Sequence, residues 1–218
     1  MESVTHYPSS VVSDSGFGTV AWSNPSNAAA SDNAYATVTT GDIDFSYPTR
    51  RDARVRLVKA DGTVGSTDKA LGTNLGSSDA VREYGDDDDL WGETLTPADI
   101  NDADFGFVVA YYYENPNDAA NTRYLKATGF SFAVPADATI LGIKAKVEAK
   151  AVIVATIGYT LTISVDSMAI EVFYEPAPTI VNDTKHAAVI ATPDTKHDAV
   201  SLSNPSKNTV ALTNVAKS

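Results

Sequence analysis

The chain contains no cysteine. Disulfide staples and thiolate metal centres are therefore excluded, and the core must hold by packing alone. Such a chain suits the cytosol, or a particle that persists outside the cell without redox help. Basic residues are scarce beside acidic ones: 16 Lys and Arg against 28 Asp and Glu, a net charge of −12. No nucleic-acid partner is expected, because neutralising phosphates needs a basic surface that this excess of acid denies. An anionic membrane surface is disfavoured for the same reason. No apolar run reaches transmembrane length. The longest, "AKAVIVATIGYTLTISV", is interrupted by Gly158 and several threonines and reads as strands. The opening "MESVTHYPSSVV" lacks a basic stretch followed by an apolar one, so no secretory leader is expected. G-x-S-x-G, P-loop and dinucleotide fingerprints are also missing.

What is present favours strands. The chain is 43% hydrophobic, which allows a sizeable core, and Val, Ile and Tyr suit a pleated surface. Alternation is clearest in residues 138–154, where Ile143, Ala145, Val147 and Ala149 oppose Lys144, Lys146, Glu148 and Lys150. "RVRLVKADG" puts Val55 and Leu57 on one face and ends in the turn dipeptide Asp61-Gly62, which predicts a hairpin. "FGFVVAYYYE" (105–114), "YLKATGFSFAVP" (124–135) and "SMAIEVFYE" (167–175) are further strands. Short helical turns are predicted at "NPSNAAASD" and at "TPADIN", the latter capped by Thr96 with Pro97 in the first turn. The reading is an all-β antiparallel sandwich, jelly-roll-like, over residues 1–178, closed by the stiff "EPAPT".

Residues 179–218 differ. They hold no aromatic residue, and four Lys nearly balance three Asp. Lys185, Lys196, Lys207 and Lys217 recur at spacings of 11, 11 and 10 residues, with short alternating strands "AVIAT", "AVSLS" and "TVALT" between them. One strand and one turn cannot bury their own apolar face. This repeat tail is expected to be ordered by neighbouring chains, for which a three-fold or strand-exchanging assembly, such as a trimer, would supply partners.

Three constellations bear on chemistry. In "YGDDDDLWG", Asp86, Asp87, Asp88 and Asp89 are the residues a calcium ion would use, if any cofactor were held. Consecutive carboxylates in extended chain point alternately to opposite sides, however, and the run lacks the ligand spacing of a calcium loop. It reads foremost as a solvated loop. In "VVAYYYENPND", alternation puts Tyr111 and Tyr113 on one face and Tyr112 on the other. With Trp91, and with Trp22 beside them, Tyr111 and Tyr113 could stack on sugar rings, or they pack into the sheet. His186 and His197 fall at equivalent points of the repeat, so repetition explains their spacing without a metal. No catalytic residues are predicted, and the chain is not read as an enzyme.

The segments "AWSNPSNAAASDNAYATV", "RVRLVKADGTVGSTDKA", "YGDDDDLWGETLTPADINDADFGFVV", "YLKATGFSFAVPADATILGIKAKVEAK" and "DSMAIEVFYE" together resemble a β-sandwich domain of structural proteins of tailed bacteriophages and prophages. The tail is similar to the "TNxSKN" repeats of such proteins. One departure concerns order: "YLKATGF" here follows the "DLWG…FGF" segment instead of the "YAT" strand. The resemblance implies a virion structural protein, a capsid decoration, tail or fibre subunit assembled in the host cytoplasm. Its partners would be other copies of itself and other virion structural proteins, and it would form a homo-oligomer. It also implies that Trp91 is a packed anchor with the aspartates as its wet flank. The alternative is a carbohydrate- or receptor-binding module of a particle or a bacterial surface.

Overall fold

The structure, a computed structural model, describes residues 1–43, 49–115, 118–156, 158–177, 200–203 and 209–212. The chain divides into two compact units, Met1–Ala177 and Pro178–Ser218. In the first, the strands are β1 (Glu2–His6), β2 (Ser10–Asp14), β3 (Ala36–Ile43), β4 (Thr49–Val58), β5 (Ala80–Gly85), β6 (Gly106–Asn115), β7 (Asp118–Asn121), β8 (Tyr124–Thr128), β9 (Thr139–Thr156) and β10 (Gly158–Glu175). A 3-10 turn, Pro25–Ala28, and one helical turn, α1 (Pro97–Ile100), fall where the sequence predicts them. Thr96 and Asp99 form a reciprocal capping box on α1, which satisfies two amides that a helix start leaves open.

Two antiparallel sheets pack face to face as a β-sandwich. The first has the order β1-β10-β9-β5, with β3 pairing the other half of β10. The second has the order β2-β8-β6-β4, with β7 pairing β6. The period-two pattern decides the inner faces. Ile143, Ala145, Val147 and Ala149 of β9 are buried together with Ile163, Val165, Met168, Ile170 and Val172 of β10. Val55, Leu57, Phe107, Val109, Leu125 and Ala127 of the second sheet belong to the same core.

The segment 124–135 departs from its reading as one strand. Pairing stops at Thr128, because Gly129 and Ser131 take left-handed backbone with φ of 72° and 53°, which cannot continue a ladder. The apolar residues beyond serve the core another way. Phe130 and Phe132 stack at 5.8 Å and, with Phe105 and Phe107, form a group of contacting rings in the core.

The hairpin expected at Asp61-Gly62 has its turn, with Gly62 at φ 76°, but its return arm is not a regular strand. Residues 63–75 run back along the free edge of β4 through scattered bonds: Gly65 N to Leu57 O, Lys69 N to Val55 O and Leu75 N to Arg50 O, at 2.7–2.9 Å. The Asp68 carboxylate takes the Val55 amide in place of a backbone carbonyl. An irregular arm of this kind covers a sheet edge that would otherwise be open.

In the second unit, β11 (Val200–Ser203) and β12 (Thr209–Leu212) pair antiparallel, with Val200 opposite Leu212 and Leu202 opposite Val210. They coincide with two of the three tail strands read from the sequence. The third, "AVIAT", and the histidines His186 and His197 lie outside the described residues.

Candidate functional site

The outer face of the second sheet carries a groove of about 580 Å³, lined by Phe17, Arg51, Arg54, Asp68, Tyr112 and Asn121 among others. Four of the chain's six arginines fall within Arg50–Arg56 on β4. Residues 51 and 54 would face opposite sides of a regular strand. A β-bulge lies between them: Asp52 pairs Tyr111 and Arg54 pairs Ala110, so Ala53 is the extra residue. Arg51 and Arg54 thereby reach the same, outward face, while Asp52 points into the core.

Each arginine rests beside a ring. The Arg51 guanidinium lies 5.3 Å from the centre of Tyr112, its cross-strand partner, and that of Arg54 lies 5.4 Å from Phe17. Phe17 stacks in turn on Tyr124 at 5.2 Å. It is set there by the next residue. Gly18 has φ +65° and passes so close to β-strand backbone that an added Cβ would stand 2.0 Å from the Thr122 carbonyl oxygen. No larger residue takes that path without moving the loop.

Asp68 forms one wall. It accepts the amides of Val55 and Ala70 and a 2.8 Å bond from Arg54 Nη1. Its partial burial works to raise the carboxyl pKa. The Val55 amide, Arg54 and the Ala70 amide outweigh that and hold it below the ordinary value. Arg51 makes no ion pair among the described residues. Tyr112 has its phenol pKa raised, chiefly by its hydrogen bond to Glu114.

The residues singled out in the sequence lie elsewhere. Tyr111, Tyr113 and Trp91 are 0%, 4% and 1% exposed, so none offers a ring face to a sugar, and Trp22 is buried too. The expectation of a binding face at Tyr111 and Tyr113 is corrected: their shared face is the core side of β6. Trp91 is an anchor. Its indole donates to the Ile143 carbonyl at 2.9 Å and packs on Gly85, where a Cβ would stand 2.6 Å from Nε1.

The four aspartates sit on the turn that leads from β5 to Trp91. Among the described residues no three His, Asp or Glu side chains gather as metal ligands. Asp89 caps the Trp91 amide at 2.8 Å and pairs Lys69 at 2.6 Å, and Asp86 takes the Asp87 amide. Asp87 is half-buried and Asp88 is exposed.

A second ionic cluster is buried. The Asp52 side chain, 0% exposed, accepts from Arg82 Nη1 of the facing sheet and from the Leu71 amide at 2.6 Å. Arg82 also donates to the carbonyls of Thr73 and Asn74 at 3.0 and 2.6 Å. Burial first, and then the Asp52 charge, push the Tyr84 phenol well above its usual value. These groups join the two sheets to the 71–75 loop. The sequence signal for the groove itself was the arginine density of "TRRDARVR" in an acidic chain, together with Tyr112 on the opposite parity from Tyr111.

Fold and groove define the class: an antiparallel β-sandwich with a groove lined by arginines and aromatic rings on one outer face. Comparison with family models, with curated proteins and with solved structures gives no match.

Proposed function

We propose that the protein is a structural subunit of a tailed-phage-type particle, at a capsid, tail or fibre surface, acting through contacts between subunits. The observation that supports this most is the second compact unit, Pro178–Ser218, whose sequence repeats a short alternating segment and a Lys-bearing turn. Its described part is a pair of four-residue strands. A lone two-stranded ribbon is marginal in water, and fixing about ten residues costs on the order of 10 kcal/mol of backbone entropy. Burying two apolar side chains returns roughly 3–6 kcal/mol. Strands supplied by other copies would close the gap.

The test is deletion of 178–218. Light scattering should show a homo-oligomer for the full chain and a folded monomer for 1–177, and antibodies to 1–177 should label particles purified from the source. An unchanged oligomeric state together with unlabelled particles would sink the proposal. A second reading, a receptor-binding module of such a particle, is favoured by the groove at Arg51, Arg54 and Tyr112.

A further inference from the structure

We propose that this groove binds a saccharide bearing a carboxylate, with Arg51 as the group that holds the acid. The inference rests on the receptor-binding reading and names its ligand class.

The charge points to an anion. Of the two guanidinium groups that line the groove, that of Arg54 is paired with Asp68, whereas Arg51 makes no ion pair among the described residues. Both are pre-oriented. Tyr112 backs Arg51, Phe17 backs Arg54, and the bulge at Ala53 fixes their common direction. A planar fork held in place loses little entropy on binding a planar carboxylate by two parallel bonds.

The remaining wall limits the kind of anion. Asp68 lies beside Arg54 with its pKa lowered, so it stays charged at neutral pH. A phosphate or sulfate dianion would feel that charge. A sugar acid carries a single negative charge, which it can place on Arg51, and it has hydroxyl donors to offer the oxygens of Asp68. Asn121 lines the same groove, and a side-chain amide both donates to and accepts from hydroxyls. A groove of about 580 Å³ is within the usual size of small-ligand sites.

The test uses the full chain and calorimetry at low and moderate salt. The probes are oligogalacturonate, a hyaluronan tetrasaccharide and sialyllactose, each beside its methyl ester, with inorganic phosphate as a plain anion. At least one acid is expected to bind, with its ester weaker by about tenfold or more. R51Q, whose thermal midpoint should match the wild type because Arg51 is exposed, is expected to lose the same factor for the acid and none for the ester. If esters or neutral sugars bind as well as acids, lose affinity in Y112L and ignore R51Q, the receptor reading stands and the acid inference falls. If no saccharide binds, both fall. Phosphate binding as tightly as the acids would mark a plain anion site and also overturn the proposal.

Discussion

Truncating Arg82 to alanine should be among the most damaging single changes in the sandwich. The Asp52 carboxylate is completely buried, and Arg82 is only 13% exposed. Solvent therefore screens this pair little, unlike a surface bridge. Removing the guanidinium leaves a charge in the core that keeps the Leu71 amide but loses its cation, and frees the Thr73 and Asn74 carbonyls. Breaking a buried pair from one side costs about 3–5 kcal/mol. For a protein of this length that is a fall of roughly 6–20 °C in the melting midpoint. The double variant Asp52→Leu, Arg82→Met removes both charges and refills the space. Only the loop's hydrogen bonds are then lost, at about 1 kcal/mol each, so it should be more stable than Arg82→Ala alone. Urea unfolding followed by tryptophan emission reads both, since Trp22 and Trp91 are buried. The reasoning is refuted if Arg82→Ala costs less than about 1 kcal/mol, or if the double variant is the least stable of the set.

Three further outcomes follow from particular side chains. Tyr111→Phe should be neutral or stabilising by up to about 1 kcal/mol in the same assay, because among the described residues the buried Tyr111 hydroxyl has no hydrogen-bond partner to lose. Asp166→Asn should stabilise at neutral pH. Burial, and then the nearby Glu148 charge, raise the folded-state pKa of Asp166. The folded state therefore binds the proton more tightly, wild-type stability falls as pH rises from the unfolded value through the folded one, and the variant's advantage should vanish below that window. An advantage that grows on acidification would contradict this. Gly18→Ala should cost about 1–3 kcal/mol from its left-handed backbone alone and more from the clash with the Thr122 carbonyl. By displacing Phe17 it should also weaken any ligand held at Arg54, measurable by calorimetry.

Much of the sandwich was legible because periodicity and burial coincide. Residues 143–150 alternate cleanly since one side of β9 meets the core and the other carries Lys144, Lys146 and Lys150 into water. The parity of Tyr111, Tyr112 and Tyr113 was equally legible, but not which parity faces out. "FGFVVAYYYE" is apolar on both sides because the outer face has a small cluster of its own, in which Val108 and Ala110 pack with Val58, Tyr124 and Phe17. Segment 124–135 misled because its apolar residues continue past the point where backbone handedness ends the strand. The Asp52–Arg82 pair joins residues 30 apart in facing sheets, a contact that no local pattern encodes. The groove required knowing that a bulge brings two arginines of opposite parity together.

That single supernumerary residue, Ala53, also sets how this surface can change over time. With it, Asp52 serves the interior while Arg51 and Arg54 serve the exterior. Deleting it would re-phase everything on one side by a half-turn of the pleat. Either the acid would swing outward and orphan Arg82, or one of the two arginines would be driven into the core. Point substitutions can retune the groove one side chain at a time, whereas a one-codon gap in β4 should abolish the interior pair or the groove outright. Among relatives of this chain, the length of the segment between the "RR" and the "RVR" should therefore report whether the groove is present more reliably than the identity of the residues lining it.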